Sequence, residues 1–281
     1  MRPSHAACVG VAASLALVTG CRASTPGATA PDEPPARSVR PDAGLTPADA
    51  GPVAARAAPQ HAVDPPAARK RVAEFVELAG APGALLHPPR VAIENAPLVV
   101  FLHGMCANPH WECPVFRAAA AEAWLLCPKG PTACAGDGAM WTGTTRGLLS
   151  QLERATDALD SSDPPDLERR AIVGYSLGAT AALRVALASP GRFRRMMIVG
   201  ANVVPNPSQL RSAGIDRIAL VAGEHDGAAR GLRRGAGSLA AAGVDARFFS
   251  LGAVGHFFDA STEARLEESL SWLTADFHLR E

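Results

Sequence analysis

Short runs of consecutive apolar residues alternate with stretches of helical periodicity over the last two thirds of the chain. Strands of a parallel sheet appear as continuous apolar runs, because both faces of such a sheet are covered. The runs predict strands over 98–102, 123–126, 171–174, 196–199, 218–221 and 247–251, and the periodic stretches predict helices over 146–159, 177–188, 230–242 and 263–273. Alternating strands and helices indicate an α/β fold, in which a mostly parallel sheet carries helices on both faces.

The start of the chain lacks this alternation and has the features of an export signal. A short basic start precedes an uncharged stretch over 6–18, and residues 18–21 read Val-Thr-Gly-Cys. A basic start, a short apolar region and small residues are typical of a secretory signal peptide. The last four residues resemble a bacterial lipoprotein box, which implies removal of residues 1–20 and lipidation of Cys21. By the same resemblance, Arg22 in place of an aspartate implies the outer membrane. An ordinary signal peptide with an incidental cysteine is the alternative.

The segment that follows predicts a tether. Residues 22–68 contain ten prolines and no aromatic residue. Such a segment cannot bury enough apolar surface to offset the entropy of ordering it, so we expect a disordered Pro/Ala-rich tether over 21–68. Docking of a partner on the prolines is the alternative. The remaining residues, 69–281, are expected to form one globular domain.

Composition excludes two classes of protein. The 281 residues carry 27 Lys and Arg against 27 Asp and Glu, so the charged footprint of a nucleic-acid-binding protein is missing. No apolar run reaches the roughly 20 residues that a membrane-spanning helix needs. We therefore expect an exported protein that contacts a membrane only through its lipid anchor.

One pentapeptide at a strand-to-helix junction predicts a nucleophile. Residues 174–178 read Gly-Tyr-Ser-Leu-Gly and fit the pattern G-x-S-x-G. The motif is weak by itself in a chain rich in glycine and serine. Here it joins a predicted strand to a predicted helix, which is the context of a nucleophile elbow that exposes the serine at the carboxyl end of the sheet. Ser176 is therefore the candidate nucleophile, and a glycine-rich turn without chemistry is the alternative.

A base and an orienting acid follow in the required order. A serine hydroxyl needs a base to become nucleophilic, and that base needs a carboxylate partner. His256 follows the last predicted strand, and Asp226 follows the strand over 218–221. The order Ser176, Asp226, His256 is that of an α/β-hydrolase triad. Glu224 and Asp259 are the alternative acids.

Two backbone amides are candidates for an oxyanion hole. One N–H after the strand over 98–102 and one after the nucleophile can together hold a tetrahedral oxyanion. We assign these donors to Met105 and Leu177, where side-chain identity matters little. His103 is expected to hold the loop by hydrogen bonds.

These motifs resemble the α/β-hydrolase superfamily over about residues 95–275. They are His103-Gly104, Gly174-Tyr175-Ser176-Leu177-Gly178, Gly223-Glu224-His225-Asp226 and Gly255-His256. About 18 residues separate the strands over 196–199 and 218–221, which leaves little room for a cap and favours the compact esterase and thioesterase branch. The resemblance implies hydrolysis of an ester, thioester or amide in a small-molecule acyl substrate through an acyl-enzyme, with no cofactor, and we favour a carboxylic ester. Alternatives are a peptidase on the same fold, a catalytically silent surface-binding lipoprotein and acyl transfer to an acceptor other than water.

Four cysteines in the domain predict disulfides. Cys106 and Cys113 lie seven residues apart, as do Cys127 and Cys134. Export favours disulfides, and the regular spacing favours two local bridges, Cys106–Cys113 and Cys127–Cys134. Pairing between the two loops is the alternative. A zinc site is a second alternative, although no C-x-x-C pair occurs, and we expect no metal.

Two aromatic residues are candidates to line the substrate pocket. Trp141 lies in a glycine-rich loop that is expected above the sheet, and Tyr175 precedes the candidate nucleophile. Packing of the loop by Trp141 is the alternative.

Overall fold

A computed structural model describes residues 75–90, 93–159 and 164–277. The predicted signal peptide over 1–20, the candidate lipidation site Cys21 and the tether over 21–68 lie outside these residues. In the described ranges, no helix is long and apolar enough to span a membrane.

One large sheet and a small hairpin account for the strands of the described residues. The strands are β1 (Val76–Glu77), β2 (Leu85–His87), β3 (Pro97–Leu102), β4 (Trp124–Cys127), β5 (Thr132–Ala133), β6 (Ala139–Met140), β7 (Asp166–Tyr175), β8 (Arg195–Val199), β9 (Arg217–Ala222) and β10 (Asp245–Ser250). The large sheet has the order β1-β2-β4-β3-β7-β8-β9-β10, and β5 pairs with β6. From β4 to β10 all neighbours are parallel, whereas β2 is antiparallel to both β1 and β4. The carboxyl ends of the six parallel strands therefore meet at one edge.

Helices cover both faces of this sheet. They are α1 (Pro109–Glu112), a 3₁₀ helix (Cys113–Ala121), α2 (Thr145–Asp157), α3 (Leu177–Ala188), α4 (Pro207–Ala213), α5 (Ala229–Ala241) and α6 (Glu263–Thr274). Alternate residues of β3 point to opposite faces. Leu98 and Val100 pack in the core under α2 to α5, and Val99 and Phe101 pack in the core under the 3₁₀ helix and α6.

The apolar runs predicted the central strands, and the structure confirms the α/β architecture. Three features differ from the expectation. The antiparallel strands β1 and β2 extend one edge, the segment over 109–121 is helical, and α4 lies in the connection between β8 and β9. A capping box of Asn206 and Gln209 starts α4, and the left-handed Gly214 ends it. These local signals fall in a stretch with too few apolar residues to show helical periodicity.

Candidate active site

Ser176 occupies a strained turn between β7 and α3. Its backbone has φ 54° and ψ −119°, and it is one of few described non-glycine residues with positive φ. Such a conformation costs about 1–3 kcal/mol and is found where the surrounding structure imposes it. Here the surrounding backbone approaches closely, because a Cβ on Gly174 would lie 2.4 Å from the Gly178 carbonyl oxygen. The Ser176 N–H donates to the Val199 carbonyl at the end of β8 (2.9 Å), which holds the turn against the sheet.

The structure brings Ser176, His256 and Asp226 into one hydrogen-bonded chain. His256 Nε2 lies 2.9 Å from Ser176 Oγ, and His256 Nδ1 lies 2.8 Å from Asp226 Oδ2. With the proton on Nδ1, the imidazole donates to the carboxylate and Nε2 is free to accept the serine proton. The Asp226 side chain is only 7% exposed, whereas that of His256 is 47% exposed. These hydrogen bonds therefore run from a shielded acid through an exposed histidine to a partly exposed serine.

Glycines at neighbouring strand ends make room for the hydrogen-bonded side chains of Ser176, His256 and Asp226. Gly200 follows β8 with φ +62°, and a Cβ there would lie 3.0 Å from His256 Cε1 and 3.1 Å from Asp226 Oδ2. Gly223 follows β9, and a Cβ there would lie 2.2 Å from the Val254 carbonyl oxygen. A side chain at Gly200 would press on the His256 and Asp226 side chains, and one at Gly223 would push the backbone before His256 off the sheet edge.

Asp226 is the acid that the structure brings to the histidine. Its second oxygen, Oδ1, accepts the Ala228 N–H (2.8 Å), which fixes the plane of the carboxylate. The alternative acids are engaged elsewhere: Glu224 accepts from the Ser250 hydroxyl (3.0 Å), and Asp259 accepts from the Ser261 N–H (2.8 Å).

The Met105 and Leu177 amides lie on two segments that meet at the same corner. A Cβ on Gly178 would be 2.1 Å from the Leu102 carbonyl oxygen, so the start of α3 touches the end of β3. Within the described residues, neither the Met105 nor the Leu177 N–H donates to a protein acceptor. Both N–H groups are therefore left free to donate to a bound group.

His103 fixes the segment that carries Met105, here named the oxyanion loop (residues 103–107). Its Nε2 accepts the Gly130 N–H (2.9 Å), so Nδ1 carries the ring proton and donates to the Gly104 carbonyl (2.8 Å). Burial lowers the pKa of His103 to about 4, which keeps the ring neutral. In a trans peptide the C=O and the following N–H point in opposite directions. By holding the Gly104 carbonyl, His103 therefore sets the direction of the Met105 N–H.

The two candidate pocket residues are buried. Trp141 is 2% exposed and packs its ring against that of His103. Tyr175 stacks on the His256 ring with 5.1 Å between centroids, and its hydroxyl donates to the His256 carbonyl (2.9 Å). Both contacts position groups of the site.

The predicted disulfide pairing Cys106–Cys113 and Cys127–Cys134 is wrong. The structure instead links Cys106 to Cys134 and Cys113 to Cys127, which is the pairing between loops. The physical reason is that β3 and β4 are parallel neighbours, so the loops that leave them emerge at the same edge. Cysteines close in space thus lie 28 and 14 residues apart in the sequence. The described residues contain no group of three or more side chains suited to bind a metal.

Two residues beside the site were not predicted from the sequence. Gly200 is one of many glycines, and only its position after β8 distinguishes it. Glu112 ends α1 and accepts the Gly104 N–H through Oε2 (2.8 Å). No spacing rule connects a glutamate in an irregular segment with a loop eight residues earlier, so this contact needed the structure.

Comparison with known proteins supports the fold. No protein-family model and no curated protein matches this chain. Among solved structures, the hyperthermophilic esterase of the archaeon Pyrobaculum calidifontis is 16% identical with a TM-score of 0.54, covering 75% of this chain and 86% of that one. Est1E from Butyrivibrio proteoclasticus is 11% identical with a TM-score of 0.52, covering 73% of this chain and 98% of that one. The naproxen esterase of Bacillus subtilis is 14% identical with a TM-score of 0.50, covering 71% of this chain and 93% of that one. At these identities the likeness establishes the architecture alone. The chain therefore has the α/β-hydrolase fold.

Proposed function

We propose that this protein is a serine hydrolase that cleaves a carboxylic ester or thioester through an acyl-enzyme. One observation carries the proposal: the continuous hydrogen-bonded chain from Ser176 through His256 to Asp226, with Ser176 held in a strained turn at the carboxyl edge of the sheet. Strain of this kind persists where a reactive side chain must be presented. The solved structures named above that share this fold include esterases, which supports the same reaction class.

In the proposed reaction, the Ser176 oxygen attacks the substrate carbonyl carbon while His256 takes the hydroxyl proton. Asp226 stabilises the imidazolium that forms. The carbonyl oxygen becomes negative, and the amides of Met105 and Leu177 stabilise it. His256 then gives its proton to the leaving alcohol or thiol, and water enters by the same steps to release the acid.

Exposed apolar residues that adjoin residues of the site in the sequence support an apolar substrate group. Met105, Trp111 and Phe257 are 66%, 62% and 51% exposed, although large apolar residues are usually covered. Each lies in the oxyanion loop or beside a residue that contacts the site: Trp111 precedes Glu112, and Phe257 follows His256. We infer that these side chains contact the acyl or alcohol group of the substrate.

The test is hydrolysis of short p-nitrophenyl esters, the matching thioesters and anilides. We expect turnover of esters to exceed turnover of anilides, and Ser176→Ala to lower kcat on the order of 10⁴-fold or more. Ser189→Ala is the matched control, because Ser189 follows the end of α3 and its hydroxyl donates only to the Val185 carbonyl among the described residues. Full activity in Ser176→Ala refutes the proposed nucleophile. Preference for peptides or anilides identifies a peptidase, and no turnover of any acyl substrate favours a binding protein.

We also propose that the enzyme is exported and anchored by a lipid on Cys21. Disulfides persist in oxidising compartments, so the two bridges support export. Expression with a radiolabelled fatty acid tests the anchor: label and detergent-phase partitioning are expected in the wild type and lost in Cys21→Ala. Equal labelling of both proteins contradicts it.

A further inference from the structure

A carboxylate lies behind the oxyanion loop. Glu112 is partly buried, and its Oε2 accepts the Gly104 N–H at 2.8 Å. A Cβ on Gly104 would lie 3.2 Å from Glu112 Oε1 and 3.2 Å from Tyr175 Cδ1, so Gly104 sits between the carboxylate and the tyrosine ring. A side chain at this position would press on both neighbours, which would have to move by a few tenths of an ångström.

Burying this carboxylate costs free energy. Burial raises the pKa of Glu112 to about 7, against the opposing effects of the Gly104 N–H and of a charge on His256. Within the described residues no ion pair compensates it. A buried carboxyl group without an ion pair, whose pKa is strongly shifted and which contacts the oxyanion loop, is a candidate for a role in the site.

Glu112 is itself held firmly. It ends α1, whose first turn is capped by the Asn108 side chain accepting the His110 N–H (2.9 Å). The next residue, Cys113, is buried and bonded to Cys127 at the end of β4. The backbone of Glu112 is therefore fixed by a capped helical turn on one side and by a disulfide to the sheet on the other.

Two successive peptide groups of the oxyanion loop are thus fixed by side chains. Glu112 holds the Gly104 N–H, and His103 holds the Gly104 carbonyl. The peptide that His103 holds also contains the Met105 N–H. Without Glu112, the Gly104 N–H would lack its acceptor, and the loop would rotate to find another or to reach water.

We propose that Glu112 is a positioning residue of the oxyanion hole: by holding the Gly104 N–H it fixes the peptide before the one that His103 holds, and so helps to keep the Met105 N–H directed at the developing oxyanion. This inference rests on the proposed function. Glu112 acts through the loop and does not touch the reacting atoms. A neutral acceptor of the same shape can make the same hydrogen bond, so Glu112→Gln retains the role and Glu112→Leu removes it.

The experiment compares both variants with the wild type by ester hydrolysis and by inhibition with a trifluoromethyl ketone, which adds Ser176 to form an oxyanion in the hole. We expect Glu112→Leu to lower kcat on the order of tenfold to a hundredfold with KM little changed. Its Ki for the ketone should rise by a similar factor. Glu112→Gln should remain within about threefold of the wild type in both quantities.

Circular dichroism and urea denaturation show whether each variant is folded, and Glu268→Leu, at an exposed position on α6, is the control for replacing a glutamate by leucine. A folded Glu112→Leu with wild-type kcat and Ki overturns the inference, as does a folded Glu112→Gln as impaired as Glu112→Leu. If Glu112→Leu does not fold, Glu112→Gln decides, and a loss of kcat there overturns the inference. A wild type that neither hydrolyses esters nor binds the ketone overturns the proposed function instead.

Discussion

Replacing Gly178 by alanine tests whether the junction of β3 and α3 forms the oxyanion hole. The new Cβ would lie 2.1 Å from the Leu102 carbonyl oxygen and 2.4 Å from that of His103. A carbon and a carbonyl oxygen come no closer than about 3.3 Å even in favourable contacts. The start of α3 and the end of β3 must therefore separate by about 1 Å, because both neighbours are backbone and neither can rotate away.

That separation should affect catalysis more than stability. A shift of about 1 Å at a catalytic group can cost on the order of 100-fold in rate, so we expect kcat for a p-nitrophenyl ester to fall by about that factor. Overpacking costs about 1–3 kcal/mol, and alanine in place of glycine within a helix returns about 1 kcal/mol. The free energy of unfolding, measured by urea denaturation, should therefore fall by only about 0–2 kcal/mol.

Gly237→Ala is the matched control. Gly237 lies within α5, is exposed, and a Cβ there would meet no atom within 4 Å. This variant should keep full activity and gain up to about 1 kcal/mol of stability. Wild-type kcat in a folded Gly178→Ala would refute the reasoning, since the amides would then tolerate the displacement that the contact distances require.

Three further predictions concern the supports of the site. The double variant Cys113→Ala/Cys127→Ala opens a bridge between residues 14 apart and should lose about 3 kcal/mol in urea denaturation, and a loss below about 1 kcal/mol contradicts this. Tyr175→Phe removes the hydroxyl that donates to the histidine backbone and should lower kcat about threefold to tenfold with unchanged KM, whereas unchanged kcat means that this bond does not hold the base. Burial lowers the pKa of His103 from 6.5 to about 4, so its contribution to stability is present above pH 6.5 and is lost as the pH falls toward 4. Burial raises the pKa of Glu112 from 4.5 to about 7, so its contribution is present below pH 4.5 and is lost as the pH rises toward 7, which opposes the first effect. Glu112→Gln removes the opposing effect, so from pH 6 to pH 5 its free energy of unfolding should fall by about 1 kcal/mol more than that of the wild type, and parallel curves would contradict this.

The parts that the sequence predicted are those set by local pattern. Apolar runs such as 98–102 are buried on both faces, so strand positions and chain order followed from the sequence alone. The candidate residues Ser176, Asp226 and His256 each follow a strand of the same parallel sheet. Parallel strands end at one edge, which is why side chains 80 residues apart in sequence meet there.

The parts that the sequence could not predict depend on contacts between segments. Disulfide pairing depends on the distance between two loops, and the regular spacing of seven carried no information about it. The burial of Trp141 and the contact of Glu112 with Gly104 likewise depend on how irregular segments pack above the sheet. Such segments have no apolar period, so neither the direction of their side chains nor their partners can be derived from pattern.

The central claim is that Ser176 is an activated nucleophile, and phosphorylation by diethyl p-nitrophenyl phosphate tests it most directly. The reagent transfers one diethylphosphoryl group to a serine made nucleophilic by a base and releases p-nitrophenol. Intact-mass and peptide mass spectrometry should find one such group per chain, on Ser176, with no modification in Ser176→Ala and much slower modification in His256→Ala. An unmodified wild type, or a group on another residue, would contradict the claim.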